Sequence, residues 1–207
     1  TWSLVGSEMC IRDRSTNGSF VSTPLFNLSE FDTSGIDLKF TYLLDTIFGQ
    51  FTLNNFTSIL LKKEFKQDIS SDRINCKSLY RLGEEDGLCY QPSPKIQNIL
   101  NLSLANKFFN NPSQLGFTFR YIDNVDDSQK IGTALNIPFD SYSYFDLNFA
   151  TNLDNDLDIF FGINNILDDD PPINGYIGYV PGNANTFPAF YDALGRFIYL
   201  KISKELN

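Results

Sequence analysis

The chain contains no histidine. That absence removes the commonest general base, the commonest zinc ligand and every Ser-His or Cys-His catalytic pair. Hydrolytic or transfer chemistry would fall to carboxylates, Lys or Tyr. Long apolar runs are missing too. No stretch approaches the ~20 residues that a membrane-spanning helix needs, and a mean hydropathy of −0.19 is too polar for a helical membrane protein. Basic residues are scarce, with 16 Lys and Arg against 25 Asp and Glu and a formal net charge of −9. No basic face is left to meet phosphate, so nucleic acid is excluded as a partner. Tryptophan occurs once, whereas Phe occurs 20 times and Tyr 10 times. What remains is an acidic, aromatic-rich chain of 207 residues, enough for one large domain or two small ones.

Its apolar residues recur with a period of two. They fall on Ile36, Leu38, Phe40, Tyr42 and Leu44, with Asp37, Lys39 and Thr41 between them. After a turn signal at Asp45–Gly49 the alternation resumes on Phe51, Leu53, Thr57, Ile59 and Leu61. It returns on Leu100, Leu102 and Leu104, then Leu115, Phe117, Phe119 and Tyr121, then Phe145, Leu147 and Phe149. Two further sets follow: Leu157, Ile159, Phe161 and Ile163, and finally Ile198, Leu200, Ile202 and Leu206. Such alternation marks strands with one apolar and one polar face. It predicts an all-β fold of about seven antiparallel strands and no helix.

Connections between these strands alternate in length. They are short after Leu44, Ala105 and Leu153, and long after Phe65, Ile122 and Leu167. A soluble sandwich has no reason to keep that rhythm, whereas a transmembrane barrel does, its strands shuttling between tight turns and long loops. Asp146, Asn148, Asp158, Asn164, Lys201, Ser203 and Glu205 all hold the parity opposite the apolar set. In a water-filled barrel that parity faces the lumen and hydrates freely. In a sandwich core each such group left unpaired would cost a few kcal/mol, on the order of 1–3. Arg120 and Arg196 fall on or near the same parity, where Asp146 or Asp158 on neighbouring strands are the expected partners.

Two segments carry a family resemblance. "FGINNILDDDPP" (Phe161–Pro172) and "NTFPAFYDALGRFIYLKISKEL" (Asn185–Leu206) resemble the C-terminal end of the TonB-dependent receptors of the bacterial outer membrane. "DTSGIDLKFTY" and "PSPKIQNILNLSL" resemble earlier strands of that region, so the similarity runs from about Phe26 to Leu206. Members of the family often end on an aromatic residue; here Leu206 takes that place and Asn207 follows. The resemblance implies a barrel of about 22 strands closed by an N-terminal plug. It implies no enzyme and no cofactor or metal. It implies active import of a scarce ligand (siderophore-bound iron, cobalamin or carbohydrate), energised by the TonB complex acting on the N-terminal part. The setting it implies is the outer membrane of a Gram-negative cell, in contact with lipid and lipopolysaccharide, with the C-terminus in the periplasm. A passive porin-like channel is the alternative that shares the strand pattern.

Seven strands fall short of the eight of the smallest such barrels, and no signal peptide precedes them. The chain is therefore expected to be the C-terminal part of a longer receptor, with residues 19–207 belonging to its barrel. "SLVGSEMCIRDR" (Ser3–Arg14) breaks the alternation and resembles translated adapter sequence, so residues 1–18 are expected to be a non-native or disordered leader. Passage through the oxidising periplasm favours a disulfide between Cys76 and Cys89, worth roughly 3 kcal/mol for a loop of about 15 residues. The aromatic last loop, with Tyr176, Tyr179, Phe187, Phe190 and Tyr191, is the candidate ligand-contacting surface. Asp154-Asn155-Asp156-Leu157-Asp158 lacks the glycine and twelfth-position glutamate of a calcium loop and reads as a tight turn. Asp168, Asp169 and Asp170 read as solvated loop carboxylates. So do Glu84, Glu85, Asp86, Asp126 and Asp127 in the expected outer loops.

Overall fold

The computed structural model describes residues 30–66, 72–80, 91–108, 110–127, 138–153, 157–173 and 186–204. The described residues form ten strands and no helix. They are β1 (Glu30–Thr46), β2 (Gly49–Lys66), β3 (Ile74–Asn75), β4 (Leu79–Tyr80), β5 (Ile96–Phe108), β6 (Asn111–Ile122), β7 (Asp126–Asp127), β8 (Tyr142–Leu153), β9 (Leu157–Asn164) and β10 (Phe197–Lys204). The seven long strands are the seven expected from the alternation. They pair antiparallel in the order β1-β2-β5-β6-β8-β9-β10, with β3 added beside β2. The sheet is open: among the described residues β1 and β10 do not pair with each other.

Register keeps every strand in phase with its neighbours. Leu44 lies opposite Phe51, Phe51 opposite Leu104, and Leu104 opposite Leu115. Leu115 then meets Phe149, Phe149 meets Phe161, and Phe161 meets Leu200. One face therefore carries an apolar band, because side chains two apart on a strand share a face and cross-strand partners share it too; Asn55, Thr57 and Asn98 interrupt it and hydrogen-bond to one another. Nothing covers that band among the described residues. Leu38 is 54% exposed and Leu200 62%. The opposite face carries Lys39, Thr41, Asn101, Arg120, Asp146, Asn148, Asp158, Asn164, Lys201 and Ser203.

Turn chemistry sets one end of the sheet. Between β1 and β2 the Thr46 hydroxyl donates to the Gly49 carbonyl at 2.7 Å and accepts from the Phe48 amide at 3.2 Å. Gly49 has φ +118°, a conformation that side-chain-bearing residues rarely adopt. The connections from β5 to β6 and from β8 to β9 are short as well and lie at the same end. The long connections after β2, β6 and β9 all lie at the other end, and β10 runs towards the short turns.

The apolar band stops at a bulge. Gly35 pairs with Leu60 but Ser34 pairs with Lys62, so Leu61 is an extra residue in β2. Beyond it the outward parity passes to Asp32, Lys62 and Glu64. Lys62 bridges both acids, at 2.5 and 3.2 Å, and Arg73 binds Glu30 at 2.8 Å. β1 and β2 reach 17 and 18 residues, and the ends of both beyond the bulge lie past the band.

The buried core is not sandwiched between sheets. It lies over the polar-parity face at the long-connection end, and all three long connections contribute to it. Tyr80, Val125, Phe139, Phe187 and Tyr191 pack there with Ile122 and Tyr144 of the sheet. The Tyr80 and Phe139 rings stack at 4.4 Å, and Tyr191 meets Phe139 edge-on at 5.8 Å. A short parallel ladder, Leu79 to Asp126 and Tyr80 to Asp127, ties the first connection to the second.

Candidate functional site

Beneath that cluster the polar face holds an ionic centre. Arg120 of β6 and Asp146 of β8 hold the same parity, one register step apart, since Arg120 pairs with Tyr144 and Thr118 with Asp146. The guanidinium donates Nε–H to Asp146 Oδ2 at 2.9 Å and Nη2–H to Oδ1 at 3.1 Å. It also meets Asp192, through Nη1 at 2.9 Å and Nη2 at 2.5 Å. One fork thus grips two carboxylates, the geometry that makes Arg a stronger clamp than Lys. The guanidinium carbon sits 4.9 Å over the Tyr144 ring, and the Tyr144 hydroxyl accepts from the Asp192 amide at 3.3 Å. Arg120 pairing with Asp146 follows the sequence expectation. Asp192 is the addition: it draws residues 186–196 down onto the sheet.

The base of that same connection is closed separately. Asn165 is fully buried with φ +52°, a left-handed conformation that Asn tolerates. Its amide N–H donates to Asp146 Oδ1 at 2.9 Å, its side-chain Nδ2 donates to the Asp169 carbonyl at 2.9 Å, and its Oδ1 accepts from the Asp169 amide at 3.0 Å. Asp168 Oδ1 accepts from the Arg196 amide at 2.8 Å, while Arg196 Nε donates to the Ile166 carbonyl at 3.0 Å. Arg196 therefore pairs across the mouth of its own loop and not with Asp158. The acids that follow β9 staple the loop shut.

Between the final segment and the sheet lies a cavity of about 550 Å³, lined by Arg120, Asp146, Asn164, Tyr191, Asp192 and Phe197 among others. A second, of about 660 Å³, lies on the same face towards the short turns and includes Asp158, Phe160, Lys201 and Ser203. Three rings join the two regions: Phe197 stacks on Tyr199 at 5.8 Å, and Tyr199 meets Phe160 at 5.6 Å. The Tyr199 ring lies flat over Gly162, where any Cβ would run into it.

Of the expected ligand-contacting aromatics, Phe187 and Tyr191 are closed inside the ring cluster, 5% and 1% exposed, and Phe190 packs at its edge. The faces of Phe187 and Tyr191 therefore meet other rings rather than solvent. Tyr176 and Tyr179 lie outside the described residues. Cys76 is fully buried and disulfide-bonded; its expected partner Cys89 lies outside the described residues, as do residues 1–18, Glu84 to Asp86, Asp154 to Asp156 and Glu205. Burial pushes the phenols of Tyr80 and Tyr191 well above their ordinary range, with Asp127 and Asp126 adding to the effect at Tyr80. Both rings are neutral throughout the physiological range.

Comparison with protein families, with curated proteins and with solved structures returns no match for this chain.

Proposed function

We propose that this chain is the C-terminal part of the barrel of a TonB-dependent outer-membrane receptor, an energised importer without catalytic chemistry. The observation that carries the reading is the pairing of two facts on one sheet. A band of Leu, Ile, Phe and Tyr runs in register across all seven long strands with nothing packed on it among the described residues, while the core forms on the opposite, polar-parity side. A soluble sheet buries its apolar face and wets its polar one. Here the arrangement is inverted, as it is for a wall between lipid and lumen. The end of the band at the ion pairs of Asp32, Lys62 and Glu64 fits the edge of a hydrocarbon layer. Two open edges cannot stand in lipid, where each unpaired backbone group costs several kcal/mol, on the order of 2–7. On this reading further strands complete the barrel.

The "FGINNILDDDPP" and "NTFPAFYDALGR" segments support the receptor over the passive channel. The test is uptake. The complete receptor in cells should accumulate its ligand, and collapse of the inner-membrane gradient should stop it. Gradient-independent leakage of small solutes would favour the porin.

A further inference from the structure

We infer that the apolar face of β2 and β5 is a contact between two copies of the receptor, joined through Asn55 and Asn98 across a two-fold axis. The inference rests on the reading of the apolar band as a lipid-facing wall and extends it to the assembly in the membrane.

Within the band lies a polar island. Asn55 and Thr57 of β2 and Asn98 of β5 share the band's parity, and Thr57 lies directly opposite Asn98. Apolar residues enclose them, Ile59 and Ile96 towards the long connections and Leu53 and Leu102 towards the short turns. Thr57 Oγ1 donates to Asn55 Oδ1 at 2.9 Å. Asn98 Nδ2 donates to Asn55 Oδ1 at 3.0 Å, to Thr57 Oγ1 at 2.7 Å and to the Phe56 carbonyl at 3.3 Å. These bonds leave the island incomplete. Asn55 Nδ2 and Asn98 Oδ1 have no partner among the described residues. In hydrocarbon no water meets such groups, so leaving them bare is costly. Ser113 and Thr151, a second polar pair of the same parity, show the contrast. Their hydroxyls bond each other at 2.8 Å, and Ser113 also donates to the Asn111 carbonyl at 3.0 Å. Their donors are met within one chain.

The groups left over choose the occupant. An acyl chain offers them nothing, whereas a second copy carries both of the groups they need. One donor and one acceptor on touching side chains are self-complementary. Asn55 Nδ2 of each copy can meet Asn98 Oδ1 of the other, and one two-fold axis makes both contacts at once. Two copies inserted in the same sense are related by an axis along the membrane normal, which keeps every residue at its own depth. Asn55 and Asn98 are in hydrogen-bond contact and so stand close in depth, which lets that axis pass between them. Asn side chains join membrane helices by the same chemistry.

The experiment reconstitutes the complete receptor, labelled on its amines with donor or acceptor dye, into phosphatidylcholine vesicles at rising protein density, with and without lipopolysaccharide. Energy transfer should exceed that of random mixing and saturate, in both kinds of vesicle. Asn55→Leu should raise the density at half-saturation roughly tenfold, the effect of losing two hydrogen bonds in lipid. Asn98→Leu should do the same and the double variant no more, because each contact takes one group from each residue. Ser113→Ala should leave the midpoint unchanged. Leucine suits a lipid-facing position, so these variants should insert as the parent does, which the heat-dependent mobility of the barrel reads on the same samples. In an inserted receptor, transfer no greater than random mixing, a midpoint unmoved by Asn55→Leu, or a double variant shifted well beyond either single one overturns this inference and leaves the membrane reading standing. Transfer that appears only with lipopolysaccharide also overturns it and makes that lipid the occupant. A receptor that does not insert overturns both.

Discussion

Asn164 and Asn165 are neighbours of the same type with opposite roles. Asn164 is the last residue of β9 and still obeys strand parity, so it faces the polar side. Asn165 is the first residue off the ladder and folds inward, where it makes three hydrogen bonds with no solvent contact. Replacing Asn165 with Ala leaves the Asp169 amide and carbonyl without their partner, so chemical denaturation should find a loss of ~1–3 kcal/mol; Asn164→Ala should be close to neutral in the same assay. Arg120→Met leaves Asp146 and Asp192 facing each other unpaired. Because Arg120 is only partly buried the cost should be about 2 kcal/mol, below the 3–5 of a fully buried pair, and hydrogen exchange should rise across residues 186–196. The tyrosines set a pH limit. A phenol in the unfolded chain ionises near pH 10, whereas burial holds Tyr80 and Tyr191 neutral to higher pH. The folded state then binds more protons than the unfolded one, so the cluster's stability is fully present below about pH 10 and is lost as pH rises further. Ultraviolet titration of the phenolate should show late tyrosines, Tyr80 and Tyr191 among them, that appear only with unfolding. Parity narrowed the partner of Arg120 to Asp146 or Asp158, and Asp146 takes the place. Asp192 was not legible, because it lies in an irregular connection where no periodicity says which way a side chain points.

At the scale of the strand, alternation was sufficient to find all seven long strands and their facing, since a one-residue slip would have reversed every side chain. Two features escaped it. The bulge at Leu61 depends on how Gly35 lets the facing strands approach, and a count of apolar positions simply runs through it. The folding of the long connections onto the polar side rests on contacts among Tyr80, Phe139 and Tyr191, far apart in sequence and without a shared period. Facing makes a sharp prediction. Leu200 and Lys201 are adjacent on β10 and point to opposite sides. Arg near the bilayer midplane costs about 2–4 kcal/mol on the lipid side of a barrel. Leu200→Arg should therefore lower the yield of folded receptor, and Lys201→Arg should leave it unchanged. Equal tolerance of the two would reverse the facing assigned to every strand.

The whole molecule is a wall with two unlike surfaces and two unlike ends. Short turns gather at one end and long connections at the other. In intact cells a cysteine placed at Gly178, in the connection after β9, should react with an impermeant maleimide, and one at Asn155, in the turn after β8, should not. Which surface meets lipid is the claim on which the rest depends, and quenching measures it directly. Single bimane-labelled cysteines at Leu38, Leu102 and Leu200 on the band, and at Lys39, Ser103 and Lys201 on the other face, would be compared in the lipid-reconstituted receptor. A lipid-borne quencher should darken the first three and iodide in water the second three. Iodide quenching of all six, or lipid quenching at Lys39, Ser103 and Lys201, would contradict the account.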